Sequence, residues 1–274
     1  YKFTWNPRNV VMAGNGVSQF IKNGRYKYIP YHRLFDRAFN RKILGYGDFE
    51  VYANRDSLKY RSIYDLKDIP SMFRGTIRRP GFSKAWNVFV RLGMTEDNYT
   101  LESSENMTYR QFLNSFLRYE PNVPAEIKLQ EYCSNAADPV VMEKLKWLGI
   151  FDERKIGLKN ATPAQILQQL LEERWSMDPQ DKDMIVMQHE FKYLTDGVEK
   201  MIVSAMAVIG KNQTETAMAI TVGLPLAIAT KLLMLGKFNH TGVILPTEKQ
   251  MYEPILDELS TFGITFEENE YLIG

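Results

Sequence analysis

One cysteine, Cys133, stands among 274 residues, so the chain has no internal disulfide and suits a reducing, cytoplasmic compartment. Cys133 runs into Ser-Asn-Ala-Ala-Asp with no histidine beside it in sequence, which reads as a structural residue at a helix end. Histidine is scarce too. His32, His189 and His240 lie far apart at no zinc spacing, and Tyr193 occupies the place where His189-Glu190 would need a second histidine, so no metal is expected. No apolar run is expected to reach the ~18 residues of a membrane span, so no membrane partner is expected. An excess of one charge is also missing. The net charge is +1, which recruits no nucleic acid. Gly14-Asn15-Gly16 and Gly45-Tyr46-Gly47 stop short of GxGxxG and read as turns, and there is neither a P-loop nor a GxSxG elbow. Residue by residue, the chain shows no catalytic engine of its own, and no catalytic residue is assigned.

What is present is ordinary globular material, 45% hydrophobic and 24% charged, enough for a substantial core. To about residue 82 the chain reads as strands and turns: RYKYIPY alternates, and FEVYA and MFRGTIR are short β runs. From Ser83 the period becomes helical, through SKAWNVFVRLGM, MTYRQFLNSFLRY, AEIKLQEYC, DPVVMEKLKWLGIF and TPAQILQQLLEERW. Asp138-Pro139 and Thr162-Pro163 look like N-caps with Pro in the first turn. Strands return at Asp181, where DMIVMQHEFKYL and VEKMIVSAMAVIG form a hairpin through Thr195-Asp196-Gly197. A long small-residue helix comes next, with Thr214 as cap, Gly236 as stop, and Gly223 and Pro225 expected to break or kink it. A strand TGVILP, a helix EKQMYEPILDELSTFG and a strand ITFEE complete the pattern. The fold class is α+β: a mixed-sheet domain of residues 1–82 and 179–274 around an all-helical insertion of 83–178.

The segment MFRGTIRRPGF, Met72 to Phe82, concentrates arginine. Strand alternation puts Arg74, Thr76 and Arg78 on one face and Phe73, Gly75 and Ile77 on the other, with the two arginine Cα atoms about 13 Å apart. Gly75 implies close approach of another backbone or a ligand. Guanidinium forks take carboxylates in bidentate fashion, so this face suits a ligand with two separated carboxylates; a solvated or ion-paired strand face is the alternative reading. Asn54-Arg55-Asp56-Ser57 reads as a polar turn, with Asp56 able to cap the stretch after it. In YKFTWNPRNVV, Trp5 and Arg8 could stack on or clamp a ligand, or Trp5 could pack in a core.

In order and spacing, YKFTWNPRNVV, ANRDSLKY, FRGTIRRPGF, KDMIVMQHEF, TETAMAITVGLPLAIATKLLMLGK, TGVILP and MYEPILDELSTFGI resemble saccharopine dehydrogenase of the NADP-dependent, glutamate-forming type. The resemblance implies an oxidoreductase of lysine metabolism that interconverts saccharopine with glutamate and 2-aminoadipate semialdehyde by NADP-linked hydride transfer. It also implies a homodimer whose α/β domain binds substrate and dimerises. A Rossmann portion is expected before Tyr1 and a returning segment after Gly274, so this chain alone is expected to bind no NADP(H) and to be inactive. The three carboxylates of saccharopine give the arginines a purpose: Arg74 or Arg78 would pair a substrate carboxylate, Thr76 would assist, and Trp5 would line the same pocket. Arg8, Asn54, Arg55 and Asp56 would line or support it. The chain departs from the family pattern at Asn6, Asn9, Arg79 and Ile220, where Ser, Gly, an aromatic and Lys are usual. A reductase acting on another amine–aldehyde conjugate, or a non-catalytic module keeping the substrate fold, therefore stays open.

Overall fold

The computed structural model describes residues 1–43 and 45–273. The chain runs α1 (Pro7–Val11), β1 (Val17–Lys22), β2 (Arg25–Pro30), α2 (Tyr31–Leu34), β3 (Phe39–Ile43), β4 (Gly47–Ala53), α3 (Tyr60–Ile63) and β5 (Gly75–Arg78). Five helices come next: α4 (Phe82–Leu92), α5 (Tyr109–Asn114), α6 (Ala125–Tyr132), α7 (Pro139–Leu148) and α8 (Pro163–Trp175). The remainder is β6 (Met184–Thr195), β7 (Val198–Ile209), α9 (Ala217–Met234), α10 (Lys249–Thr261) and β8 (Glu267–Leu272). This is the expected α+β class, built on small sheets ordered β1-β2, β3-β4-β5 and β6-β7-β8.

Contacts gather the chain into two compact units. The first holds Tyr1, Asn6–Arg41 and Asp48–Ser176; the second holds Lys2–Trp5, Lys42–Gly47 and Met177–Gly274. The expected division into 1–82 with 179–274 against 83–178 rests on proposed roles and is not the one that contacts make.

In the first unit, β1 and β2 form a hairpin whose turn residues Asn23 and Gly24 both have positive φ, 49° and 72°. That geometry matches the right-handed twist of the strands, and Asn-Gly adopts it at low cost. β5 pairs antiparallel with β4, setting Arg78 opposite Glu50 and Thr76 opposite Tyr52. The five helices bury Trp86, Phe89, Phe112, Leu129, Leu145, Leu167 and Leu170. Their ends obey the local chemistry read from the sequence. Asp138 caps α7, Thr162 forms a capping box with Gln165 on α8, and Gly93 and Gly149 close α4 and α7 at φ 81° and 92°. Cys133 is fully buried at the end of α6, a structural position.

In the second unit, β6 and β7, twelve residues each, form a hairpin through Asp196 (φ 51°) and Gly197 (φ 75°), and β8 pairs with β7. α9 and α10 cover the sheet around Met206, Ile228, Leu259 and Ile264. Asp183 fixes the start of α9: its carboxylate accepts the N–H of Ala217 at 2.6 Å and of Met218 at 3.0 Å. A Cβ on Gly210 would meet that carboxylate at 2.1 Å, so the chain must carry glycine there.

Five expectations are corrected in this half. TGVILP is not a strand: Gly242 has φ 90°, Val243 is fully exposed, and no neighbouring strand offers a ladder among the described residues. The last strand begins at Glu267 rather than Ile264, because Ile264 closes α10 by bonding Leu259 O and is buried. Thr216, not Thr214, caps α9, its hydroxyl accepting the Ala219 N–H. The helix also runs unbroken through Gly223 and Pro225, since Leu224 and Ile228 pack on the core on either side of the proline. α9 is therefore 18 residues long with mean hydropathy 1.8, so one helix does reach the length and composition of a membrane span. Its polar groups are few and mostly inward-bonded: the hydroxyls of Thr221 and Thr230 donate to Ala217 O and Leu226 O, each at 2.8 Å.

Candidate carboxylate-binding site

The arginine segment is shorter as a strand than its sequence suggested. β4 ends at Ala53, opposite Gly75, so Arg74 lies just outside the ladder and only Thr76 and Arg78 share the expected strand face. Arg74 is held instead by the Asn54–Ser57 loop. Asn54 N–H donates to Arg74 O at 2.8 Å, and Arg74 N–H donates to the buried Ser57 Oγ at 3.0 Å. The loop is in turn stitched to β1, since Gln19 N–H donates to Arg55 O and Ser57 N–H to Gln19 O, both at 2.9 Å. Asp56 caps the turn at Leu58, accepting from Leu58 N at 2.8 Å. Arg55 has φ 46°, an uncommon conformation for a side chain of its size. Asn54, Arg55 and Asp56 thus shape the support of Arg74 through their backbone and cap.

Both guanidiniums rest on aromatic rings. Arg74 Cζ sits 4.0 Å from the Tyr60 ring centroid, and Arg78 Cζ sits 5.3 Å from Tyr1 and 5.4 Å from Phe82. Stacking of this kind leaves the in-plane N–H fork free for an anion. Among the described residues no carboxylate lies within salt-bridge distance of either arginine. Arg78 donates Nη1–H to Ile77 O at 2.9 Å, and its Nε is buried without a hydrogen-bond partner among the described residues. A buried, unmet charged donor is costly to leave so and is a position where a ligand oxygen would be stabilising. Beside it the Tyr52 phenol is held above its ordinary value by burial; Arg78 and the Thr76 hydroxyl, hydrogen-bonded to it, pull the other way.

The remaining candidates have surroundings of their own. Arg8 pairs with Asp97, and its Nη1 is buried without a hydrogen-bond partner among the described residues. Asn6 caps α1, its side chain accepting Arg8 N–H at 2.9 Å, a role that Ser fills equally well. Arg79 lies over the Phe49 ring at 4.4 Å, and Ile220 packs against the core of the second unit. Trp5 belongs to the second unit and, half-exposed, lines a cavity of about 450 Å³ with Phe3, Thr4, Met177, Gln213 and Thr214. Ser57, Tyr60, Tyr1, Phe82 and Glu50 carried no signal in the sequence. Ser57, Tyr60, Tyr1 and Phe82 sit inside motif segments, but an exchangeable serine or aromatic does not name its partner without the fold.

The family model described as the saccharopine dehydrogenase C-terminal domain matches residues 1–264. The chain belongs to that family. Within the saccharopine dehydrogenase C-terminal domain family, mouse mitochondrial alpha-aminoadipic semialdehyde synthase is 31% identical over 97% of this chain. Saccharopine dehydrogenase [NADP(+), L-glutamate-forming] of Saccharomyces cerevisiae is 28% identical over 98% of it. The solved apo structure of that glutamate-forming yeast enzyme superposes with a TM-score of 0.85 over 99% of the chain, at 28% identity. The chain spans 29% of the mouse relative and 61% of the yeast one.

The name of the yeast relative includes NADP(+), and the described residues of this chain do not fit a dinucleotide cradle. Gly14-Asn15-Gly16 leads from α1 into β1 and Gly45-Tyr46-Gly47 from β3 into β4, so neither opens a helix as a pyrophosphate turn must. The first N–H groups of α4, α8 and α9 are already bonded, by Glu50, by Thr162, and by Asp183 and Thr216, and α10 starts after Thr247-Glu248 without a glycine-rich turn.

Proposed function

We propose that this chain is the substrate-binding and helical part of an NADP-linked oxidoreductase that interconverts saccharopine with glutamate and 2-aminoadipate semialdehyde in lysine metabolism. The observation that carries this reading is the pair Arg74 and Arg78, ring-stacked and without a carboxylate partner among the described residues, with Arg74 also held by the Asn54–Ser57 loop. A substrate with several carboxylates around a secondary amine supplies the missing anions. Thr76 places a hydroxyl beside Arg78, and Trp5 contributes an aromatic wall to its own cavity in the second unit. In this scheme residues 1–82 and 179–274 serve substrate binding and dimerisation, and 83–178 form the helical domain. The chain's own contribution to hydride transfer is to hold and orient the substrate carbon–nitrogen bond. NADP is placed outside this chain, which on its own is proposed to be inactive.

The address is proposed as cytoplasmic; the mouse relative is named as mitochondrial. The decisive experiment measures saccharopine oxidation by the full-length polypeptide carrying this chain, with Arg74→Ala and Arg78→Ala. Loss of a charged hydrogen bond at either position is expected to raise KM for saccharopine about 10- to 100-fold. Turnover unchanged in both variants overturns the reading.

A further inference from the structure

Glu50 is 8% exposed and lies directly opposite Arg78 in the β4–β5 ladder. Directly opposed residues send their side chains to the same face of a sheet, the placement from which a cross-strand ion pair ordinarily forms. None forms here. The Glu50 carboxylate turns toward the chain beyond Arg78: Oε2 accepts Gly81 N–H at 3.1 Å, and Oε1 accepts Ser83 N–H. Those two donors sit at the start of α4, where free N–H groups and the helix dipole both favour a negative charge. Gly81 has φ 90°, a conformation that needs glycine, so the turn between β5 and α4 is fixed from both sides.

Phe82 lies between the two bonded residues. Its ring stands 5.4 Å from the Arg78 guanidinium, 5.8 Å from Tyr1 and 5.7 Å from Trp86. One carboxylate therefore has two consequences. It anchors the ring on which the guanidinium rests, and by spending both oxygens on main-chain donors it leaves the Arg78 fork un-neutralised.

We infer that Glu50 is a positioning residue for Arg78, acting through the Gly81–Ser83 turn and Phe82; this rests on the reading of Arg78 as a substrate-carboxylate ligand. The rival is a cap of α4 with no bearing on substrate, and the two roles separate kinetically. A cap alone lowers thermal stability but leaves KM for saccharopine unchanged in the folded enzyme. Positioning raises KM and leaves kcat in place, because the interaction concerns binding of a remote carboxylate. The test uses the full-length polypeptide carrying this chain with Glu50→Gln, Phe82→Leu, Arg78→Lys and the double variant Glu50→Gln/Arg78→Lys. Glutamine presents one acceptor oxygen and an NH2 group that only donates, so one main-chain bond is lost.

Glu50→Gln is expected to raise KM about ten-fold with little change in kcat. Phe82→Leu, which keeps both Glu50 bonds, is expected to do the same. The double variant should show no further rise over Arg78→Lys, since both act on one contact. A raised KM in Arg78→Lys with none in Glu50→Gln, or an additive double variant, overturns the positioning role alone. An unchanged KM in Arg78→Lys overturns it together with the carboxylate reading beneath it.

Discussion

At Gly75 a Cβ would stand 2.4 Å from Val51 Cγ1 and 2.9 Å from Phe73 Cε1. The glycine was legible in the sequence as a mark of close approach; the body that comes nearest is a cross-strand valine side chain, with the Tyr52 carbonyl oxygen 3.4 Å away. Composition names the dent and only the register names its filler. Gly75→Ala forces that contact apart, and overpacking of this kind costs about 1–3 kcal/mol. In urea unfolding the midpoint of the variant should fall while the slope stays constant, since the exposed surface is unchanged. An unmoved midpoint would mean that β4 and β5 part without cost. The arginines teach the same lesson in reverse. Their charge and order were readable, yet their partners Tyr60, Tyr1 and Phe82 were not, because a ring that stacks on a guanidinium looks like any other aromatic until the chain is folded.

Elements were most legible where local chemistry dictates them. The capped starts of α7 and α8 and the Asp196-Gly197 turn came from side chains that satisfy backbone groups within a few residues. The β1–β2 hairpin carries the same kind of signal in Asn23-Gly24; β2 was legible in the alternation of RYKYIPY, whereas β1 is short and its burial follows no period of two. TGVILP failed for the opposite reason: β propensity without a neighbour makes no strand. Between elements, α5 and α6 are joined by a fork of Arg110 onto Glu126, with Nη2–Oε1 at 2.9 Å and Nη1–Oε2 at 3.1 Å. That hydrogen-bonded pairing holds the Glu126 carboxyl below its ordinary 4.5. A lowered folded value contributes stability above pH 4.5 that is lost as pH falls through the folded pKa. Both side chains keep nearly a third of their surface in water, so solvent screening limits the pair to about 0.5–1 kcal/mol. Glu126→Gln is therefore expected to unfold at slightly lower urea at about pH 7 and to match the parent chain once pH is well below 4.5. A deficit that persists in acid would show that packing, not charge, is what the substitution disturbs.

At the scale of the molecule, the apolar content of α9 exceeds what its own unit can bury. Ile220, Leu224, Ile228 and Leu232 face the core over the β6–β7 sheet. On the opposite side, Val222, Leu226 and Leu233 fall within about 40° of one another around the helix axis. They are 62%, 69% and 55% exposed. A helix apolar on every side calls for cover on every side. A second copy is the cover that fits the proposed dimerising role of residues 179–274. On that proposal the chain self-associates in sedimentation velocity, and a charge placed in the stripe weakens it. Burying one leucine is worth about 1.5–3 kcal/mol, so Leu226→Glu should raise the dimer dissociation constant by at least ~10-fold. The same substitution should leave the monomer's unfolding unaffected, because Leu226 makes no part of the core cluster. A chain that sediments as a monomer at high micromolar concentration, with and without Leu226→Glu, would take the dimer contact off α9.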